Sequence, residues 1–293
     1  MPATPRFASL YAFALTVCLP LIALSPRHAA TPARAATQAA PLAIGETFTL
    51  ESAALGETRR INVYLPAAYH ASPDVRLPVL YMPDGGIAED FLHVAGLVQV
   101  LTGNGSMRPF VLVGIENTER RRDLTGPTDD PEDRKIAPHV GGSAAFRAFV
   151  RDELMPQVRS RYRTSDETAI VGESLAGLFV LETLALEPEL FDTYIAIDPS
   201  VWWNRDALVS AAPQWLERQP DGARTKVFVA TGREASASQP MTRLLVAMNA
   251  HASPSLQITH RGFGDETHAT VYHAAALDAF RKAFAPEAKP AGH

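Results

Sequence analysis

The sequence predicts an α/β protein with a mostly parallel central sheet and helices on both faces. Three observations point there. Short, continuous apolar runs recur, such as Val79-Leu80-Tyr81-Met82 and Tyr194-Ile195-Ala196-Ile197. Runs of that length without polar alternation suit strands buried on both faces. Between them lie segments whose apolar residues recur every three or four positions, the helical period. The two patterns alternate along the chain. Alternation requires crossovers, which are right-handed and lay helices against the sheet. The chain has 293 residues, 46% of them hydrophobic and 20% charged. That is enough for one large domain with a full core, and it argues against disorder and against a polytopic membrane protein.

The elements follow in order. Phe48-Thr49-Leu50 and Arg60-Ile61-Asn62-Val63-Tyr64-Leu65 read as opening strands. The second alternates polar and apolar residues, as a strand with one wet face would, and Pro66 ends it. Val79 to Met82 is stopped by Pro83-Asp84-Gly85-Gly86. Further strands are expected at Phe110 to Ile115, Thr168 to Val171, Tyr194 to Ile197, Lys226 to Ala230 and Leu256 to Thr259. Ser143 is placed to cap a helix with Phe146, Phe149, Val150, Leu154 and Val158 on one stripe, and Pro156 inside it should kink the helix. Leu178, Leu181, Leu184 and Ala185 form a second stripe; Met241, Leu244, Leu245 and Met248 a third; Ala276, Leu277 and Phe280 a last one. The polar segment 116–142, rich in Arg, Asp and Pro, fits neither period and reads as a long loop of the kind that carries function.

The N-terminus stands apart. Arg6 precedes an apolar run from Phe7 to Leu24, Pro26 breaks it, and Ala33-Arg34-Ala35 supplies small residues for cleavage. This is the layout of a secretory signal peptide over residues 1–35, with no stable membrane anchor once it is removed. Residues 36–43 read as a flexible leader, 44–285 as the single domain and 286–293 as a C-terminal tail. Cleavage would remove Cys18, the only cysteine. A mature chain without thiols suits a periplasmic or secreted protein. The net charge of −5 offers no basic surface for nucleic acid. The nine histidines show no metal-ligand spacing, and no dinucleotide fingerprint follows a strand, so no metal or other cofactor is expected.

The sharpest chemical signal is Gly172-Glu173-Ser174-Leu175-Ala176-Gly177, between a buried strand and a helical stripe. A nucleophile elbow requires that context: the turn lifts the serine hydroxyl above the sheet, and small neighbours let the backbone close in. A serine hydroxyl needs a base, and His268 follows the last expected strand and precedes the last helix. Histidine titrates near working pH and can return the proton to a leaving alcohol. Two backbone N–H groups should stabilise an oxyanion: Leu175, just after the serine, and Gly86, in the loop after an early strand. The acid that orients His268 is expected after the penultimate strand, at Glu234. Asp265 and Glu266 are rivals, and a dyad without an acid is an alternative.

These residues resemble a known family, that of esterase D and the siderophore trilactone esterases of the Fes, IroE and BesA type. The resemblance runs from about residue 58 to 284. It is carried by Asn62 to Pro66, Pro78 to Gly85, Val113-Gly114-Ile115, Arg120 to Thr125, Gly172 to Gly177 and Pro199-Ser200-Val201-Trp202-Trp203. It implies an α/β-hydrolase fold, a nucleophile at Ser174, a base at His268 and an oxyanion donor just after Gly85. The family often has G-H-S-x-G-G at the elbow; here Glu173 and Ala176 replace the His and Gly. In the trilactone esterases arginine engages anionic catecholate groups, so Arg120 and Arg122 become candidate substrate ligands, and Trp202 and Trp203 a candidate wall for an aromatic acyl group. The same residues also suit structural ion pairs and core packing. The expected function is an exported serine hydrolase acting on a small-molecule ester, with a catecholate trilactone (a ferric siderophore) as the first substrate class. Alternatives are a short-chain or aryl carboxylesterase, an acyltransferase, and a non-catalytic binding protein of the same fold.

Overall fold

The computed structural model describes residues 39–220 and 225–286. Among the described residues eight strands form one sheet: β1 (Glu46–Ser52), β2 (Glu57–Tyr64), β3 (Leu77–Met82), β4 (Val111–Ile115), β5 (Thr164–Glu173), β6 (Thr193–Ile197), β7 (Thr225–Thr231) and β8 (Leu256–Gly262). Their order across the sheet is β1-β2-β4-β3-β5-β6-β7-β8. β2 runs antiparallel to both β1 and β4, and all other pairs are parallel. This is the α/β-hydrolase arrangement, and each expected apolar run falls on one of these strands to within a residue.

Burial explains the continuous runs. Every residue of β3, β4 and β6 is buried. Alternate side chains feed two separate cores. Leu80, Met82 and Leu112 pack with the helices Phe91–Gly103 and Val271–Ala283 on one face. Val79, Tyr81 and Val113 pack on the other face with the helices Ser143–Ala148, Leu175–Leu186 and Gln239–His251. β8 differs from its expected burial. It is an edge strand, and beyond Leu256 its side chains are largely exposed.

Three local expectations are corrected. Ser143 opens its helix but does not cap it: Gly142 holds the cap position, and the Ser143 hydroxyl donates to Glu182 Oε1 at 2.9 Å. Pro156 lies in the first turn of the helix Met155–Arg161, and a π-helical turn, Phe149–Leu154, precedes it and absorbs the irregularity. Segment 116–142 is not wholly irregular, since it holds the short helices Arg120–Asp123 and Pro131–Ile136. Helices of one turn carry too few residues to show a period. Ion pairing fixes the first of them. Arg59 of β2, fully buried, meets Asp123 Oδ2 at 2.6 Å and Glu57 Oε1 at 2.7 Å.

The expected signal peptide, 1–35, lies outside the described residues, as do 287–293 of the tail. Residues 39–43 of the expected leader carry no helix or strand and are exposed. Contacts divide the chain between Leu42 and Ala43, and the strands and helices of the described residues lie in the second unit. Among the described residues no helix is long and apolar enough to cross a membrane.

Candidate active site

Six strands, β3 to β8, run parallel, so the loops that follow them gather at one edge of the sheet. The loop after β5 is the elbow. Ser174 has φ 60° and ψ −119°, a conformation that costs a non-glycine residue about 1–3 kcal/mol. The surroundings hold it there: its N–H donates to Ile197 O at 3.0 Å, and its carbonyl accepts from Leu178 N at 2.9 Å and Ser200 N at 3.0 Å. Gly172 is obligatory for this turn, because a Cβ on it would lie 2.6 Å from the Ala176 carbonyl carbon. Ala176 is thus small for the same reason as Gly172.

A chain of hydrogen bonds leads away from the serine. Ser174 Oγ lies 3.0 Å from His268 Nε2, and His268 Nδ1 lies 2.6 Å from Asp198 Oδ2. A carboxylate only accepts, so the imidazole proton sits on Nδ1 and Nε2 is free to accept from the serine. Asp198 is buried, and its other oxygen accepts from Gly232 N at 2.6 Å. Its backbone is also left-handed, with φ 43°. Ser200 Oγ lies 3.3 Å from Ser174 Oγ.

Glu234 does not orient the ring, contrary to the sequence expectation. Its carboxylate accepts from the backbone N of His268 at 3.0 Å, so it anchors the histidine loop while Asp198 holds the imidazole. Asp265 and Glu266 are not the acid either: the ring nitrogens meet Asp198, Ser174 and Glu173. The Asp198 signal was an acid directly after a buried apolar run, one strand earlier than the loop that sequence order favoured.

Gly86 is also corrected. Its N–H already donates to Glu89 Oε2 at 2.6 Å, which commits it within its own loop. The loop is pressed on β4, since a Cβ on Gly85 would lie 2.3 Å from Gly114 Cα. Leu175 is the first residue of its helix, where N–H groups have no intrahelical partner and the helix dipole favours negative charge.

The candidate substrate ligands divide. Arg122 is tied to Glu57 Oε1 at 2.8 Å and Asp123 Oδ1 at 2.7 Å, and the pairing holds the Glu57 carboxyl down at about 2 against its burial, with help from Thr118 and Arg59. Trp203 is buried and its indole N–H donates to Gly126 O at 2.9 Å. Both are structural. Arg120 is committed too, with Nε and NH2 on the two oxygens of buried Asp84 at 2.7 and 2.8 Å. Trp202 is 46% exposed and stands two residues after Ser200.

Two groups beside the serine have shifted protonation. The hydrogen bond to Asp198 raises His268 above its usual range, against desolvation, and the charges of Glu173, Asp198 and Glu234 add to it. Burial pushes Glu173 up to about 7, although His268 and Arg120 oppose it. A carboxyl raised in the folded state stabilises the fold only while protonated. Its contribution is present below the unfolded value near 4.5 and is lost as pH rises to about 7. One unit corresponds to about 1.4 kcal/mol, so ionised Glu173 costs up to about 3 kcal/mol. Glu173→Gln is therefore expected to raise the urea midpoint at pH 8 and to leave it unchanged at pH 4. Equal midpoints at pH 8 would contradict this.

The family model described as Putative esterase matches residues 52–289. Ferri-bacillibactin esterase BesA of Bacillus subtilis is 32% identical over 178 residues, 55% of this chain and 60% of that protein. A siderophore triacetylfusarinine C esterase of Aspergillus fumigatus is 31% identical over 190 residues, 60% of this chain and 63% of that protein. The chain thus spans about three fifths of these curated relatives. The crystal structure of an IroE-like serine hydrolase from Shewanella oneidensis superposes with a TM-score of 0.72 at 29% identity, covering 82% of this chain and 80% of that one.

Proposed function

The chain belongs to the Putative esterase family, and on that premise we propose that it is an exported serine hydrolase that cleaves siderophore esters through an acyl-serine intermediate. The observation that carries this reading is the run of contacts from Ser174 Oγ through His268 to buried Asp198, at 3.0 and 2.6 Å. As Ser174 Oγ bonds to the acyl carbon, His268 Nε2 takes its proton, and Asp198 balances the imidazolium. Charge grows on the carbonyl oxygen, and the N–H of Leu175 meets it. The C–O bond then breaks, Nε2 returns the proton to the departing alcohol, and water repeats the cycle on the acyl-serine.

The substrate class rests on the relatives, whose names specify ferri-bacillibactin and triacetylfusarinine C. Exposed Trp202, two residues after Ser200, offers a flat apolar face for such a bulky acyl group. Export rests on the N-terminal pattern of Arg6, the apolar run and Ala33-Arg34-Ala35.

A fluorophosphonate tests the reading, because it phosphonylates only an activated serine. Intact-mass and peptide analysis of the protein recovered from the periplasm should show one adduct, on Ser174, in a chain beginning at Ala36. The same preparation should open a ferric trilactone faster than a simple aryl ester. An adduct elsewhere, or none, would sink the serine assignment; preference for the aryl ester would sink the substrate class.

A further inference from the structure

Glu173, the residue before the nucleophile, has no part in the mechanism above. Its position is nonetheless fixed. It ends β5, its backbone is in register with Ile197 of β6, and its side chain is 15% exposed. Its Oε1 is buried without a hydrogen-bond partner among the described residues and lies 3.4 Å from His268 Nε2. An unpaired oxygen in that setting is costly, so its surroundings matter. From the loops after β3 and β4 it faces Asp84 and Arg120; from the loop after β6, Asp198; and from the loop after β8, His268. Buried Tyr272, at the start of the last helix, also feels its charge. Arg120 has spent two donors on Asp84. His268 Nε2 is the group toward which Glu173 Oε1 is set, and Nε2 becomes a donor once it is protonated, as when it takes the serine proton.

We propose that Glu173 is a second carboxylate partner of His268, acting on Nε2 as Asp198 acts on Nδ1, and that it holds the imidazolium in place between serine attack and alcohol departure. This rests on the acyl-serine reading. The proton balance is simple. The Ser174 proton moves to Nε2 as Oγ bonds to the acyl carbon, the resulting Nε2–H lies between Glu173 Oε1 and the alcohol oxygen, and it passes to that oxygen as the C–O bond breaks. Glu173 itself gains no proton in the cycle. A negative charge this close stabilises the loaded base, because charges interact strongly where water is excluded. The same charge makes the resting imidazole easier to protonate. The residue therefore raises the rate at the plateau and moves the acid limb of the pH profile upward. Below about pH 7 Glu173 takes up its own proton and the benefit ends.

The experiment has two arms. In the first, Glu173→Gln and Glu173→Met are compared with wild type in kcat against pH. Both variants should lose about 3- to 10-fold at the alkaline plateau with KM little changed, and their acid limb should lie about half a unit or more lower. In the second, the His268 ring is titrated by NMR in Ser174→Ala protein with and without Glu173→Gln, which needs no turnover. The imidazole should titrate lower without the carboxylate. An unchanged titration with an unchanged limb would overturn the role of Glu173 while leaving the serine mechanism standing. If Ser174→Ala keeps full turnover, it is the serine mechanism that falls, and the NMR arm still reads the Glu173–His268 contact.

Discussion

Ser174→Ala is expected to lower kcat for ester cleavage by about 10⁴-fold or more, with KM and stability nearly unchanged. The hydroxyl is the only group at the end of the hydrogen-bond chain that can bond to carbon. Ser200 Oγ is 3.3 Å away but makes no hydrogen bond to His268, so it has no base of its own. Its backbone N–H is used on the Ser174 carbonyl, which marks it as a support of the elbow. What survives in the variant should come from substrate binding and the Leu175 N–H, which act on water attack without a covalent step. Alanine keeps a Cβ at φ 60°, so the elbow strain persists and the thermal midpoint should move little. Steady-state kinetics with a chromogenic ester read the first effect and calorimetry the second. A residual rate within tenfold of wild type would mean that another group attacks.

Much of this site was legible because its parts are local. The elbow is six consecutive residues, and the reason for Gly172 is the contact with Ala176 four positions on. Ser174 and His268 could be paired across 94 positions because parallel strands bring successive loops to one edge. The strands were legible because burial on both faces leaves unbroken apolar runs, as in β3, β4 and β6. The residues that escaped depend on non-local contacts. Nothing within the sequence distinguishes Asp198 from Glu234 as partner of the ring: both follow a strand, and only the path of the loop after β8 decides which reaches Nδ1. Arg122 and Trp203 were open to two readings, because unpaired Arg and Trp bind anions and rings while paired ones hold the fold. Their actual partners, Glu57 and the carbonyl of Gly126, lie 65 and 77 positions away. Gly86 departs from the expectation for a nearer reason, since Glu89 reaches back three residues to its N–H. The helix Phe91–Gly103 escaped because its apolar residues are not confined to one stripe: Leu92 and Val100 lie on its exposed side.

The choice between the two acids has a large consequence. Asp198→Asn should lower kcat about 10³- to 10⁴-fold, whereas Glu234→Gln should lower it less than about tenfold. An ionised Asp198 accepts from Nδ1 and leaves Nε2 unprotonated beside the serine. An amide turned to donate to Nδ1 would stabilise the other tautomer, with the proton on Nε2, where it blocks uptake from Ser174 Oγ. Asparagine also cannot balance the imidazolium. The Gly232 N–H bond to the second oxygen resists rotation of the amide, so the fold should survive with the ring miscast. Glu234 is different, because it accepts a backbone N–H that a glutamine oxygen can accept equally well. The pH profile supplies an independent sign. The Asp198 bond is the largest cause that raises His268, and a raised base is silenced at higher pH. Removing the carboxylate should therefore shift the acid limb of the residual activity to lower pH, while Glu234→Gln shifts it only slightly through the lost charge. If the two variants exchanged places, with Glu234→Gln crippled and Asp198→Asn active, the ring would have to turn in solution to meet the acid that the sequence order first suggested.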